Sequence, residues 1–201
     1  MEIVMLDYRI DKAHLLEVLS MWNGFLKKKV HLIACGGTAL TLLGLKPSTK
    51  DIDLVVPVEQ EYDYLLKVLA QLGYSPTSGV GWARDDKFVF DLFRGKKVHT
   101  TELLESPLAA GNNTLIKEFS YLYLGVLNDY DLILSKLFRG SEIDFADCLT
   151  LARARGEALD RDRLEKRFRE TASYDVNPDR MNKNLESFLE RLKEEGVHDG
   201  K

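Results

Sequence analysis

Two glycines and two aspartates on neighbouring segments limit most strongly what this chain can fold into. Gly36-Gly37 ends one apolar run, and Asp51-Ile52-Asp53-Leu54 opens the next. If residues 51–56 form a strand, alternation places Asp51 and Asp53 on the same face. Two carboxylates side by side repel each other, so the arrangement is costly unless a cation lies between them.

The same segments offer one site for a metal ion and another for phosphate. Magnesium takes carboxylate oxygens and keeps water or phosphate oxygens in its other positions. Glycines let the backbone approach a ligand closely, and the helix expected after Gly37 presents N–H groups that suit phosphate. A phosphate site beside a metal site indicates nucleotide chemistry.

This pattern resembles the signature of the DNA polymerase beta-like nucleotidyltransferase superfamily: a glycine turn, a short helix, then Asp-x-Asp. It is most similar to the minimal AbiEii-type and related bacterial and archaeal nucleotidyltransferases, through residues 36–40 and 49–54. The superfamily carries a third carboxylate on a later strand, and Asp91 within Phe88–Phe93 has that place here. The resemblance covers about residues 28–150.

The resemblance implies a metal-dependent enzyme that moves a nucleoside monophosphate from a nucleoside triphosphate to a hydroxyl or phosphate acceptor and releases pyrophosphate. The residues expected to be catalytic, and to hold Mg²⁺ in a two-metal site, are Asp51, Asp53 and Asp91. The residues expected to contact the triphosphate are Gly36, Gly37, Thr38 and Lys136.

Three of these assignments have an alternative. Many superfamily members carry a serine where Gly37 stands, so either Thr38 supplies the hydroxyl or backbone amides alone hold the phosphate. Asp91 interrupts an apolar strand, where a lone carboxylate is expensive unless it binds a partner or faces solvent at a sheet edge. Lys136 and Arg139 share a helix face, which either presents positive charge to a phosphate or is solvated and paired with acids such as Asp144.

Two classes of function remain open. One is an active nucleotidyltransferase, which the three carboxylates favour. The other is a non-catalytic nucleotide-binding or regulatory module of a toxin–antitoxin pair, with a cognate antitoxin as its partner. The acceptor is open too, because a tRNA end, a protein side chain and a small molecule all suit the same catalytic core.

Composition excludes several other classes. The net charge of −4 gives no overall basic field for nucleic acid, and no apolar run approaches the ~20 residues that a membrane span needs. The N-terminus lacks a basic, cleavable leader, so we expect a cytoplasmic protein without a membrane partner. The two cysteines and four histidines have no metal-ligand spacing, so zinc is not expected.

The predicted fold is α/β (α+β): a nucleotidyltransferase-type mixed sheet with flanking helices in residues 1–128, and a helical C-terminal region in residues 129–201. Helices are predicted for residues 11–27, 38–45, 59–72, 129–139, 144–155, 159–171 and 178–195. Strands are predicted for residues 31–35, 51–58 and 88–93, with one or two more within 114–126. Residues 74–84 contain Ser-Pro-Thr-Ser-Gly and are predicted to be irregular.

Overall fold

The computed structural model describes residues 8–85 and 88–196 as a mixed α/β fold. The helices are α1 Lys12–Phe25, α2 Gly36–Leu42, α3 Glu59–Gln71, α4 Asp129–Arg139, α5 Glu142–Arg155, α6 Arg161–Ala172 and α7 Pro178–Glu194. The strands are β1 Val30–Ala34, β2 Ile52–Val56, β3 Ser75–Pro76, β4 Gly81–Arg84, β5 Phe88–Arg94, β6 Lys97–Val98, β7 Thr101–Glu102, β8 Asn113–Glu118 and β9 Leu122–Leu127. The predicted fold class is confirmed.

Contacts divide the chain into two compact units. The first contains the residues up to Gly95 together with Thr114–Val126. The second contains Lys96–Asn113 together with the residues from Leu127 onward. The sequence predicted one boundary near residue 129, and the contacts add the Lys96–Asn113 segment to the helical unit.

The first unit is built on a seven-stranded sheet in the order β3-β4-β5-β2-β1-β9-β8. The pairs β1–β9 and β2–β5 are parallel, whereas β1–β2, β3–β4 and β4–β5 are antiparallel. Every residue of β2 is buried, as expected for a central strand covered on both faces. The sheet therefore carries β2, β5 and β4 side by side, and these are the strands that hold the candidate site.

Helix α1 forms where the apolar spacing predicts it. Its N-terminus is capped by Asp11, whose side chain accepts a hydrogen bond from the His14 N–H. Leu15, Leu19 and Trp22 are fully buried, and the Trp22 indole N–H donates to the Tyr74 hydroxyl at 3.1 Å. This face anchors α1 within the first unit.

The prediction that residues 74–84 are irregular was wrong. The segment forms a hairpin in which β3 pairs with β4, and β4 pairs in turn with β5. Only residues 77–80 form the connecting turn, closed by a hydrogen bond from the Thr77 N–H to the Gly81 carbonyl at 2.8 Å. The turn residues were recognised correctly, but pairing with β5 orders the residues on either side of them. Local sequence does not report such long-range pairing.

The second unit contains helices α4 to α7, as predicted for the C-terminal region, together with the short β6–β7 pair. Ser141 and Asp144 form a reciprocal capping box at the start of α5, so this helix begins two residues before the predicted position. Asn177 caps α7, with Pro178 in its first turn. The apolar stripe predicted for α7 is buried; it consists of Met181, Leu185, Phe188, Leu189 and Leu192. Within the described residues, each helix is too short or too polar to cross a membrane.

Candidate functional site

Two of the predicted carboxylates lie side by side on the central strands. Asp53 on β2 and Asp91 on β5 are register partners in a parallel pair. Directly opposed residues of a parallel pair point their side chains to the same face of the sheet. Asp53 and Asp91 therefore lie on the same face of the sheet.

The first glycine of the turn lies directly over Asp53. A Cβ built on Gly36 would lie 2.1 Å from Asp53 Oδ2, and the φ of Gly36 is +56°. Both the space and the left-handed backbone therefore demand glycine at this position. Asp53 as a residue is only 6% exposed, and it lies at the point where α2 begins.

Two threonines hold the Asp-x-Asp segment in place through its backbone. Thr38 Oγ1 accepts from the Asp53 N–H at 2.9 Å and donates to the Asp51 carbonyl at 3.2 Å. Thr49 Oγ1 donates to the same carbonyl at 2.9 Å, and its oxygen lies 2.8 Å from the place that a Gly37 Cβ would take. Thr38 is fully buried, so its hydroxyl positions the strand in this structure.

Asp91 is electrostatically strained by its surroundings. Burial raises the pKa of the Asp91 carboxyl above its usual value, and the negative charge of Asp51 raises it further. Asp51 is exposed and precedes β2, which begins at Ile52 rather than at the predicted residue 51. The three carboxylates thus form one acidic region, with Asp53 and Asp91 on the sheet and Asp51 before the strand.

A glycine missed by the sequence analysis lies on the other side of Asp91. Gly81 on β4 is the register partner of Asp91 in the antiparallel β4–β5 pair. A Cβ on Gly81 would lie 3.2 Å from Asp91 Oδ1 and 2.3 Å from Thr77 Oγ1. With Val89 Cγ1 at 2.9 Å, these atoms already fill the place that a side chain would take, so position 81 requires glycine. The turn composition of the segment comes from residues 75–79, and the sequence analysis gave Gly81 no role.

The start of α2 presents backbone N–H groups beside these carboxylates. The Cys35 carbonyl accepts the first helical hydrogen bond, from the Ala39 N–H at 3.0 Å. The N–H groups of Gly36, Gly37 and Thr38 precede it, so they have no acceptor within the helix. Among the described residues no side chain caps this end. Of these three residues Gly36 and Thr38 are buried, and Gly37 is partly exposed.

A ready-made metal centre is not visible in the part of the chain that the structure describes. No group of three His, Cys, Asp or Glu side chains there has a geometry that could hold an ion. The donor set nevertheless suits Mg²⁺, which proteins commonly bind through one or two carboxylates and substrate phosphates rather than through a complete protein cage. Asp53 and Asp91 provide such a pair.

Lys136 lies in the second unit and is not solvated. Its side chain is 2% exposed, and its ammonium group contacts Asp147 at 2.7 Å and Asp144 at 3.7 Å. Arg139 on the same helix donates to Asp144 and to His99 Nε2. The predicted partnership with Asp144 is confirmed, whereas the predicted solvated face is wrong for Lys136. Contact between Lys136 and a triphosphate stays a prediction.

His99 is held as a neutral acceptor in that cluster. Burial and then the positive charge of Arg139 lower the pKa of His99 from its usual 6.5 to about 4. Its φ of +51° is unusual for a residue with a side chain. The sequence analysis missed this residue, because its partner Arg139 is distant along the chain.

Comparison with known proteins places the chain among nucleotidyltransferases. A family model described as "Nucleotidyltransferase of unknown function (DUF6036)" matches residues 13–195. A crystal structure from Thermotoga maritima, described only provisionally as a nucleotidyltransferase, shares 17% identity with a TM-score of 0.45, covering 70% of this chain and 92% of that chain. No curated protein matches the sequence. The resemblance to the AbiEii-type branch stays a prediction.

Proposed function

Because this chain belongs to the DUF6036 family of nucleotidyltransferases, we propose that it is an active enzyme which transfers a nucleoside monophosphate from a nucleoside triphosphate to an acceptor. The observation that carries the proposal is the register of β2 and β5. It brings Asp53 and Asp91 together on one face, directly beside the Gly36 turn. A pair of carboxylates next to backbone amides that have no acceptor within their helix is what a triphosphate with its cation requires.

The phosphates are proposed to lie on the amides of Gly36, Gly37 and Thr38. Thr38 Oγ1 already donates its proton to the Asp51 carbonyl, and a hydroxyl has only one proton to donate. This favours the backbone alternative over the hydroxyl alternative. Asp53 is then the member of the carboxylate pair that lies nearer to the phosphates.

Asp53 and Asp91 are the residues proposed to hold magnesium, with Asp51 contributing from the start of the strand. Burial, and then the negative charge of Asp51, raise the pKa of Asp91, and a cation bound between the carboxylates would relieve the repulsion from Asp51. Bound Mg²⁺ would act as a Lewis acid and spread the charge that develops on the attacking and leaving oxygens. A second ion is part of the proposal by family resemblance.

The proposed reaction is a displacement at the α-phosphorus. The acceptor hydroxyl oxygen forms a bond to that phosphorus, and the bond from phosphorus to the oxygen bridging to the β-phosphate breaks. Pyrophosphate leaves with that oxygen. Asp91 positions the hydroxyl and takes its proton, while the backbone amides at Gly36 and Gly37 bind and orient the triphosphate.

The test is nucleotide transfer by wild type and by Asp91→Asn. The protein is incubated with Mg²⁺, each of four α-labelled nucleoside triphosphates and total cell lysate, and label transfer and pyrophosphate are measured. Asp91→Asn keeps the shape of the side chain and should reduce transfer by at least ~10²-fold. Asp63→Asn, on the exposed surface of α3, is the matched control and should transfer normally.

Two results would count against the proposal. If Asp91→Asn transfers at the wild-type rate, Asp91 is not the base. If wild-type protein binds nucleotide but labels no RNA, protein or small molecule, the non-catalytic module becomes the better account, and a search for a cognate antitoxin follows.

A further inference from the structure

We propose that residues 8–10, which precede α1, are a positioning element of the proposed site. They hold Thr49 between the turn proposed to bind phosphate and the segment proposed to bind Mg²⁺. This inference rests on the proposed function, because it gives these residues a part in binding the cation and the triphosphate together. It begins from the place of Thr49 in the loop that joins α2 to β2.

Thr49 contacts both halves of the proposed site. Its hydroxyl donates to the Asp51 carbonyl at 2.9 Å, and Thr38 on α2 donates to the same carbonyl. Thr49 Oγ1 also lies 2.8 Å from the place that a Gly37 Cβ would take. Because Thr49 is only 7% exposed, its hydroxyl is enclosed between the start of α2 and the Asp-x-Asp segment.

Ile10 fixes Thr49 through both of its backbone groups. The Ile10 N–H donates to the Thr49 carbonyl at 2.8 Å, and the Thr49 N–H donates to the Ile10 carbonyl at 2.9 Å. This reciprocal pair is an isolated antiparallel bridge outside the strands of the sheet. Ile10 is 1% exposed, so its side chain anchors the bridge in the core. The position of Thr49 is therefore set by a residue that is distant along the chain.

The two preceding residues extend this connection. Arg9 Nε donates to Ser48 Oγ at 2.9 Å, and Arg9 Nη2 donates to the Ser48 carbonyl at 3.1 Å. The Tyr8 ring lies edge-on to the Phe88 ring, with the ring centroids 6.4 Å apart, and Phe88 begins β5. Residues 8–10 therefore contact both the loop before β2 and the start of β5, which are the two strands of the carboxylate pair.

These contacts matter because Asp51 lies at the end of a loop. Residues 43–50 belong to neither a helix nor a strand, and Asp51 is exposed. Ordering such a loop costs conformational entropy, which weakens ligand binding if the loop is ordered only when the ligand binds. The bridge to Ile10 orders the loop in the free protein, so less entropy is lost when Mg²⁺ and triphosphate bind.

The proposed role differs measurably from a role in stability alone. Loosening the loop should weaken Mg²⁺ binding at Asp51, while the amides at the start of α2 still bind phosphate. The affinity for triphosphate in Mg²⁺ should therefore fall more than the affinity in chelator. A segment that served only the fold would change the free energy of unfolding and leave the ratio of these two affinities unchanged.

The experiment measures binding of non-hydrolysable analogues of the four nucleoside triphosphates by isothermal titration calorimetry, in Mg²⁺ and in chelator. Thr49→Val should lower the ratio of the two affinities about threefold to tenfold, by loss of one hydrogen bond to the Asp51 carbonyl. Arg9→Met should lower it on the order of threefold, and Thr49→Ser should keep it within about twofold of wild type. The double variant of Arg9→Met and Thr49→Val should match Thr49→Val alone, because residues 8–10 act through Thr49.

Two matched controls remove similar contacts elsewhere in the chain. Thr150→Val removes a hydroxyl that donates to the Ala146 carbonyl at 2.9 Å. Arg94→Met removes the contacts of an exposed guanidinium with two acids on α3. Both controls should keep the wild-type ratio of affinities, and urea unfolding of every variant shows whether its fold is retained.

A second readout needs neither metal nor nucleotide. Hydrogen exchange of the metal-free protein, followed by NMR, measures how often the Thr49 N–H leaves its bond to Ile10. Exchange at this N–H should be at least about twofold faster in Arg9→Met than in wild type, because loss of the Ser48 contacts loosens the bridge. It should be unchanged in Arg94→Met.

A wild-type ratio of affinities in either Arg9→Met or Thr49→Val would overturn the inference and leave the proposed function standing. Additive losses in the double variant would also overturn it, since residues 8–10 would then act independently of Thr49. If Thr49→Val does not fold, Arg9→Met decides the matter, because Arg9 lies on the surface. Equal affinity of wild type in Mg²⁺ and in chelator for all four analogues would instead reject the metal site on which the inference rests.

Discussion

The carboxylates of Asp53 and Asp91 extend from directly paired positions of two parallel strands, β2 and β5. Their neighbours on either side are glycines, Gly36 over Asp53 and Gly81 beside Asp91. The pair is therefore flanked by two places where side chains are missing. A Cβ at position 36 or 81 would crowd one of the two carboxylates, at 2.1 Å from Asp53 Oδ2 or 3.2 Å from Asp91 Oδ1.

Replacing Gly36 should damage both the fold and the site. Gly36→Ala places a Cβ 2.1 Å from Asp53 Oδ2 in a left-handed backbone conformation, which should lower the free energy of unfolding by about 1–3 kcal/mol or more. Urea titration measures the loss. The control Gly24→Ala lies inside α1 and should raise stability by roughly 0.5–1 kcal/mol. Equal stability of the two variants would contradict the close contact with Asp53.

Asp91→Asn should stabilise the metal-free protein at neutral pH. Burial and the charge of Asp51 raise the pKa of the Asp91 carboxyl, so the folded state favours its protonated form. The stability that this group contributes is present at acidic pH and is lost as pH rises through its folded-state pKa. The midpoint of urea unfolding in chelator should therefore be higher for Asp91→Asn than for wild type at pH 7, with the difference shrinking towards acid. A lower midpoint at pH 7 would show that the carboxylate is stabilised by a partner.

Much of this site could be predicted from local sequence, because its parts are contiguous. Gly36, the start of α2 and the Asp-x-Asp segment lie close together along the chain, and Asp91 is the single acid in an apolar run. Gly81 and Thr77 could not be predicted, since only the pairing of β4 with β5 brings them beside Asp91. The Lys96–Asn113 segment likewise joins the helical unit through contacts that are distant along the chain. The burial of Lys136 could not be predicted, because the three-residue spacing between Lys136 and Arg139 is equally compatible with an exposed helix face.

Removing the Lys136 ammonium should destabilise the second unit. Lys136→Met removes the ammonium that lies 2.7 Å from the buried Asp147 carboxylate, and breaking a buried pair costs about 3–5 kcal/mol. Urea unfolding measures this cost, and the double variant Lys136→Met with Asp147→Asn should recover part of it. Unchanged stability, together with weaker triphosphate binding, would support the phosphate contact predicted for Lys136 from the sequence.

His99 should make stability depend on pH in mildly acidic solution. The pKa of His99 is lowered from 6.5 to about 4 in the folded state, so the unfolded chain binds a proton first as pH falls. The stability that neutral His99 contributes is present above about pH 6.5 and is lost progressively down to about pH 4. Asparagine tolerates a positive φ, so His99→Asn should keep the fold. The free energy of unfolding in urea should differ less between pH 7 and pH 4.5 in this variant than in wild type. An unchanged pH dependence would show that His99 does not stay neutral in the folded protein.

Triphosphate binding in the presence and absence of magnesium tests the central claim most directly. Isothermal titration calorimetry measures binding to wild type and to Asp53→Ala, in Mg²⁺ and in chelator. The ligands are a non-hydrolysable ATP analogue and its counterparts that carry the other three bases. We predict that wild type binds at least one of them markedly more tightly in Mg²⁺, and that Asp53→Ala keeps its fold but loses the difference. Equal affinity of wild type in Mg²⁺ and in chelator for all four would contradict the account.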